Sequence, residues 1–456
     1  MMNMTRFSVT AALLFSASTL AAQATAPVAL TLGGAARLAA EMSAGPQAAK
    51  FRSAQAEARV RQTRAEFLPN ISAAALDREN TLNSASFPFS FADPSTGRSL
   101  FDPNGQVVGP VKNWDLRGTL RQNIYDPGSF ARLNAAKASA TASNADVGAA
   151  AQQAAAVAAS AYLRAQRADA QLSARQADST LAAELLGIAR DQLSAGVGVA
   201  LDVTRAQSQL SQMHSQLIMA RNEQARTRVE LVRALNLPQG TIVTLSDSLP
   251  SAAGAATGAV PALRTPAEDD AVGRALQTRA DLKVLADQSA AAERQLDALR
   301  SERLPSLGLF ADQGGNGKGI NHLLSTYTWG IQLSVPVFDG FRREGRVDEQ
   351  RATMKELDVR RSDLQQQTIA EIRTAVLDVR AATELLDASA ERVGFADQEL
   401  TQARDRFRAG VSGNADVITA SMTLNSARTQ LIDARAALQS ARVALARAQG
   451  TITELP

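Results

Sequence analysis

Cysteine is absent from the 456-residue sequence, and histidine occurs only twice. The lack of cysteine excludes disulfide bonds, a catalytic thiol and lipid attachment through an N-terminal cysteine. The two histidines, His214 and His322, are far apart and lack metal-ligand spacing, so both are interpreted as surface polar residues. We therefore expect neither a metal site nor a cofactor.

Aromatic residues are also scarce, at 4% of the chain, although 45% of the residues are hydrophobic. Much of the apolar content is alanine, which favours closely packed helices and is too small to fill the thick core of a sheet-centred enzyme. The 48 basic residues nearly balance the 45 acidic ones, and no basic stripe suited to nucleic acid is present. Neither a nucleophile–base pair nor a phosphate-binding loop appears, so the sequence argues against an enzyme.

The N-terminal residues have the three parts of a secretory signal peptide. Arg6 supplies positive charge, residues 8–22 form an apolar run too short to span a membrane, and residues 22–24 offer a small-x-small cleavage site. We expect residues 1–24 to be removed by cleavage between Ala24 and Thr25. No later segment has about 18 consecutive apolar residues, so the sequence predicts no transmembrane helix.

The chain contains the same series of motifs twice. The pairs are RAEFLPNI (64–71) and RSERLPSL (300–307), YDPG (125–128) and FDG (338–340), and ARDQLSAGVGVALDV (189–203) and ARDRFRAGVSGNADV (403–417). Because they recur in the same order, we predict two structural repeats, residues 25–240 and 267–456, joined by a linker over 241–266. Each repeat is expected to contain a helix, two short strands and a long helical hairpin.

The predicted hairpins are unusually long. From Gly340 to Ala409 no proline interrupts the sequence, and about 70 helical residues would form a rod of roughly 100 Å. Apolar residues recur every seven positions in this stretch, as in a coiled coil. They are Ile372, Val379, Leu386, Val393, Leu400 and Phe407, with a second column expected three residues before each, at Ile369, Val376, Thr383 and Ala390.

Four segments are predicted to be strands that face lipid. Residues 327–338 and 116–124 alternate apolar and polar side chains, as the strands of a membrane β-barrel do. Segments 67–76 and 304–313 are the expected neighbours, connected by loops over 79–114 and 313–325. Single-chain barrels need about eight strands, and open strand edges in lipid leave backbone groups unpaired. Four strands therefore predict an oligomer.

These features resemble the outer-membrane efflux protein family, the TolC-like channels. The resemblance rests on the paired Leu-Pro motifs, the RADL motif at 279–282, the aromatic-Asp-Gly turns and the two Ala-Gly-Val tips. It implies a mostly α fold with a membrane β-barrel portion, built by a homotrimer from four strands and long coiled-coil hairpins per protomer. It also implies an outer-membrane location reaching into the periplasm. The implied partners are outer-membrane lipid, a periplasmic adaptor protein and an inner-membrane pump of the RND or ABC type.

The resemblance also assigns roles to the hairpin tips. The residues that would dock the adaptor are Ala195, Gly196, Val197 and Gly198 in the first hairpin and Ala409, Gly410, Val411 and Ser412 in the second. Six residues after each first tip glycine comes an aspartate, Asp202 or Asp416, which would contribute to an acidic periplasmic gate. The alternative is that each aspartate is the N-cap of its returning helix. Some family members have a further carboxylate three residues after the second aspartate, where this chain has Thr419 instead.

The sequence is compatible with three functions. The first is export of small molecules by the outer-membrane channel of a tripartite system. The second is type I protein secretion through the same kind of duct. The third is a structural coiled-coil surface protein without a pore, which the predicted lipid-facing strands disfavour.

Overall fold

The computed structural model describes residues 28–86, 94–96, 102, 104–247, 249, 268–409 and 411–456. The predicted signal peptide, most of the linker, Gly410 and the phenylalanines of the first long loop (Phe87, Phe89, Phe91 and Phe101) lie outside these ranges. Within them, no helix is both long and apolar enough to cross a membrane.

A short strand, β1 (Val28–Leu30), precedes two similar series of elements. The first series is α1 (Leu32–Met42), α2 (Ala44–Arg64), β2 (Asn70–Asn83), β3 (Val107–Tyr125), α3 (Pro127–Ser194) and α4 (Ala200–Ala234). After β4 (Val243–Leu245), the second is α5 (Glu268–Thr278), α6 (Ala280–Ser301), β5 (Ser306–Gly317), β6 (Leu324–Ser334), α7 (Arg342–Arg408) and α8 (Asn414–Gln449). Each series therefore has two shorter helices, two strands and two long helices.

The four long strands form one antiparallel sheet in the order β2-β3-β5-β6. The register aligns residues in rows across the sheet, and successive rows lie on opposite faces because side chains alternate along a strand. One row is Ile71, Leu120, Ala311 and Trp329, and the next is Ser72, Thr119, Asp312 and Thr328. The sheet thus has an apolar and a polar face. Its outer strands, β2 and β6, each have one free edge in the described part of the chain.

The strand boundaries differ from those predicted. β2 runs on to Asn83 and β3 begins at Val107, so the predicted loop over 79–114 contains more strand than expected. β6 ends at Ser334, so residues 335–338 lie beyond the strand that was predicted to include them. Ser334 lies opposite Ser306, the first residue of β5, so the residues after Ser334 have no strand to pair with within the described ranges.

Helices α3 and α7, of 68 and 67 residues, run the length of the helical part. At the rise of an α-helix each is a rod of about 100 Å, as predicted. α2 packs along the first part of α3 and α4 along its later part. α8 packs along α7, and α6 contacts both of the longest helices, α3 more extensively than α7. The two longest helices and the helices packed on them form the helical part.

The heptad seam of the second hairpin is confirmed in its first column. In the predicted second column Val376 is buried, Ile369 and Ala390 are partly buried, and Thr383 does not belong to the seam. Ile372, Val379, Leu386, Leu400 and Phe407 are buried, and Val393 is partly buried. Apart from Val376, the buried residues of the second column follow the first column by three residues instead of preceding it, and they are Ala375, Ala382, Ser389 and Ala396. Thr383 is exposed. Small side chains let two helices approach closely, whereas the sequence pattern had favoured the bulkier residues.

Polar contacts attach β1 and β4 to the first hairpin and the start of α6 to the second. The buried Tyr162 of α3 donates to Leu30 O at 3.0 Å, and Asp247 Oδ2 accepts from Leu32 N at 2.7 Å, which fixes β1 and β4 against the first hairpin. In the second half, Arg279 makes ion pairs of 2.6 Å with both Asp281 and Glu371. These contacts tie α6 to α7.

Candidate functional site

The first hairpin reverses within the few residues between α3 and α4. Gly196 has a φ of +74°, the left-handed conformation that ends many helices. Val197 N donates to Gln192 O at 3.0 Å and Gly196 N to Leu193 O at 3.1 Å, the two hydrogen bonds of a Schellman motif. A Cβ atom at Gly198 would lie 2.9 Å from Leu193 N, so the turn leaves no space for a side chain there.

The second hairpin has the corresponding bond. Ala409 follows the end of α7, and Val411 N donates to Arg406 O at 3.0 Å, which matches the bond from Val197. The Oγ of Ser412 is buried without a hydrogen-bond partner. Val197 and Val411 are 79% and 72% exposed. Each tip therefore presents an apolar side chain to solvent.

Two hydrogen bonds place the tips side by side. Gln192 Nε2 donates to Phe407 O at 3.1 Å, which joins the end of α3 to the end of α7. Asn414 Nδ2 donates to Asp202 O at 3.1 Å, which joins the starts of α8 and α4. Asn414 is fully buried in this contact. The two tip segments predicted from the sequence are thus brought together at one end of the molecule.

The N-cap hypothesis is wrong for both aspartates. The N-caps of α4 and α8 are Val199 and Gly413, and neither makes a side-chain capping bond. Asp202 and Asp416 lie three residues further on, in the first helical turn, where the helix dipole favours a negative charge. Asp202 is 16% exposed and lies 3.8 Å from Arg205. Asp416 is exposed and has no ion pair among the described residues, so its charge faces solvent near the tip.

Further from the tips, the two hairpins meet through a buried aspartate. The Asp178 side chain of α3 is 1% exposed and forms ion pairs with Arg175 at 3.2 Å and with Arg428 of α8 at 3.6 Å. The Asn425 amide, with its nitrogen turned toward the carboxylate, donates to Asp178 Oδ1 at 2.6 Å. Burial nevertheless raises the pKa of Asp178 above its ordinary value, against the effect of both arginines.

This pKa predicts how stability depends on pH. Because the folded pKa lies above the unfolded one, the pH-dependent part of the contribution of Asp178 to stability is complete below the unfolded pKa of about 3.9 and is lost as pH rises through the folded pKa, while its ion pairs with the arginines remain. Asparagine does not titrate. We therefore expect the melting temperature of Asp178→Asn to fall less than that of the wild type as pH rises from the unfolded pKa to above the folded pKa. Asp178→Ala should be less stable by about 3 kcal/mol at neutral pH, because both arginines lose their buried partner. The test is to measure the melting temperatures of the wild type and both variants in detergent across this pH range. The same pH dependence in the Asn variant and the wild type would contradict the role of Asp178.

The sheet separates polar from apolar side chains. On the polar face, Ser72 and Thr119 share a hydrogen bond of 2.7 Å, and Arg117 pairs with Asp115 at 3.3 Å and with Asp312. On the apolar face, Tyr327, Trp329 and Ile331 are 75%, 69% and 61% exposed. Exposed aromatic and aliphatic side chains on one face of a sheet are typical of lipid contact.

Sequence reasoning located the tips and the strand faces but missed Asp178 and the Arg117–Asp312 pair. In both cases the partners come from different halves of the chain, so no local motif marks them. Among the described residues, no group of His, Cys, Asp and Glu is placed to hold a metal ion.

Comparison with known proteins gives a consistent result. The model of a family described as outer membrane efflux protein matches residues 37–237 and 271–451. Protein CyaE of Bordetella pertussis is 26% identical over 75% of this chain and 72% of its own length. The alkaline protease secretion protein AprF of Pseudomonas aeruginosa is 26% identical over 54% of this chain and 50% of its own. The crystal structure of the outer membrane protein VceC from Vibrio cholerae is similar in fold, with a TM-score of 0.71 and 19% identity over 92% of this chain and 96% of that one.

Proposed function

The chain belongs to the outer membrane efflux protein family, and from this membership and the geometry above we propose that three copies form a continuous export duct. Outer-membrane channels of this family act in the Gram-negative outer membrane and are not enzymes. Channels of this kind in tripartite systems are in general trimers that work with an adaptor and an inner-membrane component. The observation that carries the proposal is the four-stranded sheet with an exposed apolar face, a polar face and two free edges.

The free edges support the trimer. Backbone N–H and C=O groups at an open edge cannot be satisfied in lipid, at a cost of several kcal/mol for each group. Pairing β6 of one protomer with β2 of the next removes every free edge once the ring closes. Three copies of a four-stranded sheet supply twelve strands, enough for a closed barrel. The polar face then lines the interior and the apolar face meets lipid.

The long hairpins extend the duct into the periplasm, with the tips at its far end. We assign the exposed Val197 and Val411 and the rest of the two tip segments to adaptor docking. Asp416, and to a lesser degree the paired Asp202, supply the acidic gate. By this proposal the functional repeats are residues 25–240 and 267–456, with 241–266 between them and residues 1–24 removed on export.

For the cargo, we propose small molecules driven by an RND or ABC pump. Secreted protein is the second candidate, supported by the likeness to AprF, whose name is that of an alkaline protease secretion protein. A strain that lacks this chain separates the two. Accumulation of dyes inside the cells, reversed by the cloned chain, supports small molecules. Retention of one secreted protein, without dye accumulation, supports protein secretion.

The purified mature chain is expected to be a trimer in mild detergent. Closure of the sheet requires neighbouring chains, so the assembly should have three times the protomer mass, both by native mass measurement and after cross-linking in intact outer membranes. A monodisperse monomer that is soluble without detergent would contradict the proposed function.

A further inference from the structure

The polar face of the sheet contains a cavity at the end nearest the helices. Three consecutive rows on this face define the region. They are Asn123, Gly308 and Gln332, then Asn70, Arg121, Phe310 and Gly330, then Ser72, Thr119, Asp312 and Thr328. The cavity has a volume of about 410 Å³ and is lined by Arg121, Asn123, Gly308, Phe310, Asp312 and Gln332. That volume is within the range of small-molecule sites, about 300–1,000 Å³.

Two glycines shape this cavity. Gly308 contributes no side chain to its row, which leaves the space between Asn123 and Gln332 open. The ring of Phe310 lies over Gly330, where a Cβ atom would come within 2.9 Å of the Phe310 Cζ. The aromatic ring therefore lies against β6 at the wall of the cavity. An aromatic side chain in this position offers a flat apolar surface among polar neighbours.

The charges beside the cavity are not balanced. Asp312 forms an ion pair with Arg117, which also forms one with Asp115. Arg121 has no ion pair or hydrogen bond from its side chain among the described residues. A guanidinium without a carboxylate partner, next to an aromatic ring, suits a ligand that carries both an anionic group and a flat apolar body.

We propose that this cavity is a cargo-contact site in the wall of the duct, for molecules with an aromatic or flat apolar body and one negative charge. The proposal rests on the proposed function, because a closed trimer would place three such sites in one ring inside the barrel. Arg121 binds the anionic group and Phe310 contacts the apolar body. The amide of Gln332 is available to polar substituents, whereas Asn123 Nδ2 donates to Glu66 O at 3.2 Å and leaves only its Oδ1 as an acceptor.

Block of single-channel current by 1-naphthalenesulfonate tests the site, with the trimer reconstituted in planar bilayers. We expect concentration-dependent block of the wild type. Arg121→Gln and Phe310→Ala should each raise the half-blocking concentration about tenfold or more, since each removes one of the two main contacts. The matched control is Arg78→Gln, which removes an exposed arginine from the same face of β2, six residues beyond Ser72. Its half-blocking concentration should equal that of the wild type.

Methanesulfonate, which has the charge without the ring, should block at least tenfold less strongly than the naphthalene compound. Three results would refute the site while leaving the channel function intact. The half-blocking concentration could be the same for the Arg121 and Arg78 variants, it could be the same for the two sulfonates, or a conducting wild type could show no block. Current without probe shows that each variant is assembled, and Phe310→Leu replaces Phe310→Ala if the alanine variant passes none. A wild type that passes no current would refute the proposed function itself, and the site with it.

Discussion

Substitution of Leu386 by aspartate is expected to abolish the assembled trimer. Leu386 is fully buried in the cluster that joins α7 to Ala434, Leu438 and Ala441 of α8. A carboxylate at this position would have no partner and no access to water. Burying it would cost several kcal/mol of stability, which is a large part of the total stability of a typical protein. Gel filtration and cross-linking of outer-membrane fractions should show little or no trimer.

Thr383→Asp is the matched control for this variant. Thr383 is exposed on the same helix, less than one turn away, so the same new charge should leave assembly at the wild-type level. This pair of variants also tests which residues form the seam, because the heptad pattern of the sequence predicts Thr383 in the second column and the structure has Ala382 there instead. Normal assembly of the Leu386 variant, or loss of trimer in the Thr383 variant alone, would refute the packing described for α7 and α8.

Asp416→Asn is expected to lower the cation selectivity of the channel substantially. In a trimer, three copies of this exposed carboxylate lie near the hairpin tips, where the duct is proposed to be narrowest, and rings of acidic side chains favour cations. The substitution leaves the helix start intact, because the N-cap of α8 is Gly413 and not Asp416. Trimer stability should therefore stay nearly unchanged while the reversal potential measured in a salt gradient moves toward zero.

Asp202→Asn serves as the comparison. Arg205 lies 3.8 Å from Asp202 and offsets its charge, so selectivity should change less than in the Asp416 variant. Equal changes in the two variants would mean that the ion pair does not shield Asp202. Unchanged selectivity in the Asp416 variant would remove Asp416 from the proposed gate.

Much of this architecture was predictable because it depends on periodicity. The seven-residue spacing from Ile372 to Phe407 and the two-residue alternation from Tyr327 to Leu333 each specify an element and the face that it buries or exposes. Gly196 lies in the predicted hairpin tip, and its positive φ is the conformation that ends the first helix of the hairpin there. These signals are local, so one sequence is enough to find them.

Contacts between distant parts of the chain were not predictable. Whether Ala382 or Thr383 enters the seam depends on how closely α8 approaches, which no single-helix pattern records. Asp178 and Arg428 come from opposite halves of the chain, as do Arg117 and Asp312. The cavity beside Phe310 depends on the register of β3, β5 and β6, and only the paired strands show which glycine lies opposite the ring.

The two faces of the sheet can be distinguished most directly by labelling neighbouring positions. Because the chain has no cysteine, Thr328→Cys and Trp329→Cys each create a single thiol, one on the polar and one on the apolar face of β6. A bulky, charged, water-soluble thiol reagent should reduce the single-channel current of the Thr328 variant in planar bilayers and leave that of the Trp329 variant unchanged. Equal effects on both variants, or a reduction only at position 329, would contradict a duct lined by the polar face.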